Sequence, residues 1–342
     1  MPSNRQPDGA PLSHDVRQCV AMFLILDGNN LAWAGYYPLE RAMRPDSEER
    51  RQRVAMLGLG AGVLGVIARA GTPPGSSDLP KLTRVAVCFD EGRPLRRREI
   101  FPPYQTGRER DPKFIANEPT ILHAIAAFSD VARSLPIEIV RGKNTEADDL
   151  IAGLVQQAPR TVKRIVSTDR DFLQLIDAKT TVYSPVKKLI IDEANFDEVV
   201  TPKGAPSMCP RDRFLDYRAL VGDTSDDLPG VPGIGPLSAA KMLCTAPLDA
   251  LLDKPGAVRA ALGRKSAAAE QAFADGTARQ IVERNRTLMD LRLPAPSWAE
   301  LDELTQAGTW QRPAFQAWLK EQRFSAIDEP ALMAQLESLA GA

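Results

Sequence analysis

The runs "FLILDGNN", "RVAVCFDEG", "IEIVRG", "RIVSTDRD" and "TTVYSP" constrain the fold more than any other feature of the chain. Each is a short apolar stretch rich in β-branched residues that closes on a polar or acidic cluster. Strands that are apolar almost throughout are buried on both faces, the mark of a parallel sheet covered by helices. Helical stretches lie between them at Glu48 to Arg69, Phe114 to Leu135 and Ala147 to Gln157. The expectation is an α/β core with a mainly parallel sheet, in which ligands bind at the carboxyl ends of the strands. Asp27, Asp90, Asp169 and Asp171 fall at that edge.

After Asn195 no convincing strand follows, and helices are expected at Pro210 to Val221, Leu237 to Leu243, Leu248 to Leu252 and Ala267 to Arg286. The closing segment "RPAFQAWLKEQRFSAI" sets Phe315, Trp318, Leu319 and Phe324 at helical spacing, a pattern for packing on the body rather than for a site.

The polar, Pro/Ser-rich start "MPSNRQPDGAPLSHDVRQC" has no apolar h-region, and no stretch offers roughly 18 uninterrupted apolar residues. A cytoplasmic protein with a disordered lead over residues 1–19 and no membrane partner is expected. Cys19, Cys88, Cys209 and Cys244 lack CxxC spacing, which points to neither a zinc site nor a disulfide framework.

Nine acids recur in motifs: Asp27, Asp90, Glu146, Asp148, Asp149, Asp169, Asp171, Asp223 and Asp226. Asp169 and Asp171 share one side if their strand continues, while Asp223 and Asp226, like Glu146 and Asp149, stand one helical turn apart with Asp148 turned aside. Each has a bland alternative: Asp27 shaping a turn with Gly28, Thr145 and Asp148 forming a capping box, Asp169 capping the next helix. Together at strand ends they are harder to dismiss, because clustered carboxylates repel unless cations compensate. Hard divalent ions prefer such oxygen ligands, so two or more Mg²⁺ or Mn²⁺ ions are expected. Two such ions roughly 4 Å apart can activate water for in-line attack on a phosphodiester. The only histidines, His14 and His123, offer no better base.

The net charge of -1 conceals a segregation, for Arg93 to Lys113 is strongly basic; neutralising nine of the 44 acids would leave 35 against 43 basic residues, or +8. Downstream of the last acids, "LPGVPGIGP" carries Gly230, Gly233 and Gly235, which permit close backbone approach to phosphates ahead of a helix bearing Lys241.

These residues resemble the 5'-nuclease superfamily: flap endonucleases, bacteriophage 5'-3' exonucleases and the N-terminal nuclease domain of bacterial DNA polymerase I. The resemblance rests on "LILDGNNLAW", "VCFDE", "YQTGR", "TEADDLIAGL", "STDRDFLQLI", "DYRALVGDTSDDLPGVPGIGP" and "AAKML" in the family's order, over about Phe23 to Leu293. It implies a PIN-like sheet flanked by helices over residues 20–200, with an arch at about 93–130. A helix-three-turn-helix DNA-binding region would follow over 201–295, then a helical tail over 296–342. It implies Asp27, Asp90, Glu146 and Asp148 around a first metal with Asp149 adjacent, and Asp169, Asp171, Asp223 and Asp226 around a second. Carbonyls of Val231 and Ile234 would hold a K⁺ against a duplex phosphate. Arg97 and Arg108 match catalytic arch cations, and Tyr104 matches an aromatic that stacks on a base.

Two departures stand out. Gln105 occupies the position after Tyr104 where the family usually carries lysine, with Arg96, Arg98 and Lys113 as nearby substitutes. Leu237 stands where many members carry a phosphate-contacting lysine. The function implied is a metal-dependent, structure-specific 5'-3' exonuclease or flap endonuclease in replication or repair. It would act as a monomer on DNA with 5' flaps or 5' ends at duplex junctions, RNA primers included, alone or with a separate DNA polymerase. The alternatives are a junction-binding accessory protein whose catalysis is weakened by Gln105, and an RNA-directed PIN-type nuclease, which the glycine hairpin and long helical second half disfavour.

Overall fold

A computed structural model describes residues 21–76, 79–205, 211–292, 296–324 and 327–341; the expected lead with His14 and Cys19, and also Cys209 and Pro210, lie outside them. The apolar runs form strands β1 (Ala21–Asp27), β2 (Lys81–Glu91), β3 (Glu138–Lys143), β4 (Val162–Val166) and β5 (Thr180–Ser184). They pair in parallel, in the order β5-β4-β1-β2-β3. Both faces are covered, as continuous apolarity requires. Phe23 and Ile25 of β1 enter one core with α5 (Ala147–Gln157), while Met22, Leu24 and Leu26 enter another with α1 (Gly28–Met43) and α2 (Glu48–Ala68).

Two edge strands were not expected. β6 (Leu189–Ile191) is antiparallel to β5, and β9 (Thr305–Ala307) is antiparallel to β3, so the chain after residue 296 returns to the first sheet, in keeping with the packing expected of its closing segment. Phe315 and Leu319 of α14 (Arg312–Gln322) and Leu332 and Leu336 of α15 (Glu329–Ala340) are buried in the core of α1 and α2. Both strands are only three residues long, too short for a legible alternation.

α2 alone among the described residues is long and apolar enough to cross a membrane by those criteria, yet it is largely buried among α1, α4 (Pro112–Ala132) and α15. The C-terminal half of α4 is core too, with Ile121, Ile125 and Phe128 buried, whereas α3 (Leu95–Ile100) has no buried residue.

The second half is helical: α6 (Phe196–Val200), α7 (Phe214–Val221), α8 (Pro236–Thr245), α9 (Leu248–Asp253), α10 (Val258–Leu262), α11 (Ala267–Ala274), α12 (Thr277–Met289) and α13 (Trp298–Leu304). The helix expected from Ala267 to Arg286 breaks at Asp275–Gly276, where Gly276 adopts a left-handed φ of 84°. A small hairpin of β7 (Gly222–Asp223) and β8 (Leu228–Pro229) follows α7, again contrary to the expectation of no strand after Asn195. Phe214, Val231, Leu243 and Val282 share one buried cluster with Ile25, Cys88 and Val140, so the helical region is continuous with one face of the sheet.

Candidate metal centre

Asp27 ends β1, where its carboxylate caps α1 by accepting from the Asn30 amide (3.0 Å) and also accepts from the Ser167 hydroxyl (2.7 Å). Asp90, at the end of β2, accepts from the Ala147 amide (2.7 Å) and so caps α5. This replaces the expected Thr145–Asp148 capping box, since the Thr145 hydroxyl donates to the Lys143 carbonyl instead. The "DGNN" asparagines wire the strand ends together: Asn29 accepts from the Asp90 amide (2.9 Å), and Asn30 exchanges hydrogen bonds with Thr168.

Six of the nine acids, Asp27, Asp90, Glu146, Asp148, Asp169 and Asp226, line one cleft of about 290 Å³. It therefore takes members of both groups that the resemblance implied. Asp148, expected to turn aside from its helix partners, is among the lining residues. Asp149, Asp171 and Asp223 are instead held by arginines. Arg97 binds Glu146 and, at 2.8 Å, Asp149, while Arg218 binds Asp223 and, at 2.6 Å, Asp171.

The local geometry of the second group differs from expectation. β4 stops at Val166 and Asp171 opens a short 3₁₀ turn, so no continuing strand aligns it with Asp169; the Asp169 carboxylate accepts from the Asp171 amide (2.8 Å). Asp223 and Asp226 lie beyond the end of α7, brought together by the turn between β7 and β8. Asp171, Asp223 and Asp226 each offer a carboxylate oxygen within 4.8 Å of the others.

Burial dominates the electrostatics. It pushes Asp27 up to about 7, against hydrogen bonds from Asn30 and Ser167, and Asp171 up to about 7 against Arg218. Asp226 rises to about 6, and Asp148 rises well above the ordinary carboxylate range through burial and then repulsion from Asp169 and Asp27. Burial also raises Asp90 and Glu146. At Asp223 burial is outweighed by Ser225 and Arg218, which leave it low. Carboxylates pressed into this state gain from a cation, and an all-oxygen donor set without histidine or thiolate fits a hard divalent ion.

The basic run is less free than its sequence suggests. Arg93 pairs with Glu118 and Glu109, Arg98 with Glu109, and Arg108 with Asp226. Tyr104 is 4% exposed and donates to Glu146 (3.2 Å), so its ring is enclosed rather than open to a base as expected. Gln105 is also buried, its amide donating to Glu146 and Asp226, both at 3.0 Å. The open aromatic surface lies elsewhere: Trp33, Tyr37 and Phe114 line the acid cleft, with Trp33 stacked on Phe114 (centroids 5.0 Å) and on Tyr37 (5.6 Å). Only the proximity of Trp33 to "LDGNN" could have signalled this, and α1 itself was not expected.

In the glycine loop, Gly233 is left-handed (φ 76°), whereas Gly230 is needed for space against the end of α7 and Gly235 has open space around it. The Val231 amide donates to Leu220 (2.8 Å) and its carbonyl accepts from Ile234 (3.0 Å), closing the turn ahead of half-buried Lys241 on α8. Leu237 is exposed on the first turn of α8.

The sequence matches the family described as 5'-3' exonuclease, N-terminal resolvase-like domain, over residues 22–201, and that described as 5'-3' exonuclease, C-terminal SAM fold, over 209–311. The chain belongs to the 5'-3' exonuclease family. Among the curated relatives of this chain, DNA polymerase I of Mycobacterium tuberculosis is 32% identical over 293 residues, which is 84% of this chain and 29% of the polymerase. The chain thus spans under a third of that protein. Flap endonuclease Xni of a Shewanella species is 30% identical over 225 residues, covering 65% of this chain and 75% of Xni. Two solved structures share the fold: bacteriophage T5 flap endonuclease in a pseudo-enzyme-product complex with DNA and metal ions (TM-score 0.57, 16% identity), and T5 5'-exonuclease with bound zinc (TM-score 0.58, 17% identity). Each alignment covers 88% of this chain and 99% of the phage protein.

Proposed function

We propose that this member of the 5'-3' exonuclease family hydrolyses DNA phosphodiesters at 5' ends and flaps beside duplex junctions, and that it requires divalent cations. The observation that carries the reading is the cleft itself: six carboxylates at strand ends and turns beside a stacked aromatic wall, with Asp27, Asp90, Glu146, Asp148 and Asp226 raised by burial. Asp27, Asp90, Glu146, Asp148, Asp169 and Asp226 would hold Mg²⁺ or Mn²⁺, with Asp171 and Asp223 released from Arg218 as further ligands. When bound, such ions supply Lewis-acid activation of water and neutralise charge at the phosphate.

The chain's own groups supply the rest. Arg108, which lines the cleft, and Arg97, which binds Glu146 at its edge, would supply charged donors to a phosphate there, and the Gln105 amide a neutral one. Trp33 presents a ring on which an unpaired base can stack, a contact of roughly 1–3 kcal/mol that tolerates any sequence. The loop from Gly230 to Gly235, with a K⁺ at the Val231 and Ile234 carbonyls, would hold the duplex by its backbone. A separate DNA polymerase and a role in lagging-strand flap or primer removal are parts of the same proposal, as is action by the monomer.

Single-turnover cleavage of a 5'-labelled flap DNA tests it. Asp169→Asn with Asp171→Asn abolishes cleavage while leaving flap binding largely intact; unchanged turnover would overturn the assignment of the centre. The buried Gln105 amide, standing among the acids where a lysine is usual, is the one feature favouring an accessory protein with weakened catalysis. Binding without cleavage, restored by Gln105→Lys, would favour that second reading.

A further inference from the structure

The third aspartate of "GDTSDD" has no part in the centre described above. Asp227 does not line the acid cleft and is not one of the three carboxylates that converge at Asp171. Its backbone is left-handed, with φ 56°, a conformation disfavoured for residues other than glycine and tolerated by aspartate when its side chain is hydrogen-bonded. Something must hold it there.

The two neighbours engage one segment through different atoms. Asp226 accepts from the Gln105 side-chain amide (3.0 Å) and from Arg108 (3.1 Å). Asp227 accepts from the backbone amide of Gly107 at 2.6 Å, and the Asp226 carbonyl accepts from the Gln105 amide at 3.0 Å. A β-carbon on Gly107 would lie 2.9 Å from both Asp227 carboxylate oxygens, so only glycine admits the acid this closely. Gln105 is also left-handed, at φ 54°, so strained backbone sits on both sides of the junction.

We propose that Asp227 is a positioning residue: its carboxylate clasps the Gly107 amide and so fixes the Tyr104–Arg108 segment in register with Glu146 and Asp226. A hydrogen bond from an amide to a charged acceptor is among the stronger kinds and offsets the left-handed turn. With the clasp closed, the Gln105 amide and Arg108 guanidinium are held where the phosphate would react; with it open, the segment is tied to the β7–β8 turn only through the Asp226 contacts. A small misplacement of such groups can cost on the order of 10²-fold in rate without touching binding. The consequence for turnover rests on the nuclease reading above, whereas the clasp itself does not.

Amide hydrogen exchange on the cation-free protein and single-turnover flap cleavage with Mn²⁺ test it together, using Asp227→Ala, Asp227→Asn and Gly107→Ala. Asp227→Ala and Gly107→Ala speed exchange of the residue 105–108 amides by about tenfold or more, with β1 and α5 amides unchanged, as loss of one hydrogen bond to a charged acceptor implies. Asp227→Ala lowers the cleavage step by about tenfold to hundredfold with flap Kd within about twofold. Asp227→Asn, which keeps an acceptor oxygen, stays within about threefold of the parent in both. Unchanged exchange in Asp227→Ala, loss of flap affinity in place of the cleavage step, or an Asp227→Asn variant as impaired as Asp227→Ala would each overturn the proposal. If the parent fails to cleave, the nuclease reading falls, while exchange at 105–108 still decides the clasp.

Discussion

Replacing Arg218 by methionine isolates the charge balance of the second acid group. Its guanidinium is 12% exposed and bridges Asp171 and Asp223, whose side chains are 11% and 16% exposed. Removing one partner from a buried ion pair leaves an uncompensated charge and costs about 3–5 kcal/mol. Unfolding entropy near the midpoint is about 2.1 cal/mol/K per residue, or about 0.7 kcal/mol/K for 342 residues. Arg218→Met therefore lowers Tm by about 4–7 °C in the presence of a chelator. Methionine keeps most of the aliphatic volume, so the loss reports charge rather than packing. Adding saturating Mn²⁺ shrinks the difference, because a cation at Asp171 and Asp223 replaces the guanidinium. Differential scanning calorimetry of parent and variant, each with and without Mn²⁺, measures both quantities. A variant as stable as the parent in chelator, or a difference that Mn²⁺ leaves untouched, would refute the idea that this arginine and a cation serve the same carboxylates.

Two further outcomes follow from the same geometry. Burial holds Asp27 and Asp171 at about 7 in the fold against an ordinary value of 3.8. Since the folded pKa is the higher one, the stability they contribute is whole below the unfolded value and is lost as pH rises through the folded one. Cation-free thermal stability thus falls from about pH 4 to about pH 7, and saturating Mg²⁺ raises Tm more at about pH 8 than at about pH 5; an equal rise at both would count against the buried, uncompensated acids. In the hairpin, Gly230→Ala drives a β-carbon into the Val221 carbonyl and to 2.6 Å from the Leu220 oxygen, both backbone. Overpacking of about 1–3 kcal/mol lowers Tm by about 1–4 °C, and displacing the loop weakens binding to a duplex; unchanged Tm and affinity would show that the loop yields freely.

Much of this protein is legible in its amino-acid order. Apolar runs free of alternation require a sheet buried on both faces, and their acidic ends announce a site at its carboxyl edge, because strand and helix periodicity is a local property of the chain. The helix Ala147–Gln157 has the bounds expected of it. The short edge strands β6 and β9 and the β7–β8 hairpin are not legible in this way, because two or three residues carry no period. Nor can spacing tell which acids share the cleft and which are held by arginine. Arg97 meets Glu146 from 49 residues away, and Gln105 meets Asp226 from 121 away, contacts that exist only once these distant segments fold together. Sequence alone determined the kinds of groups and the edge where they gather. Packing between distant segments decided which carboxylates face one another, which are neutralised, and which aromatic ring stands open beside them, since burial and repulsion depend on neighbours in space.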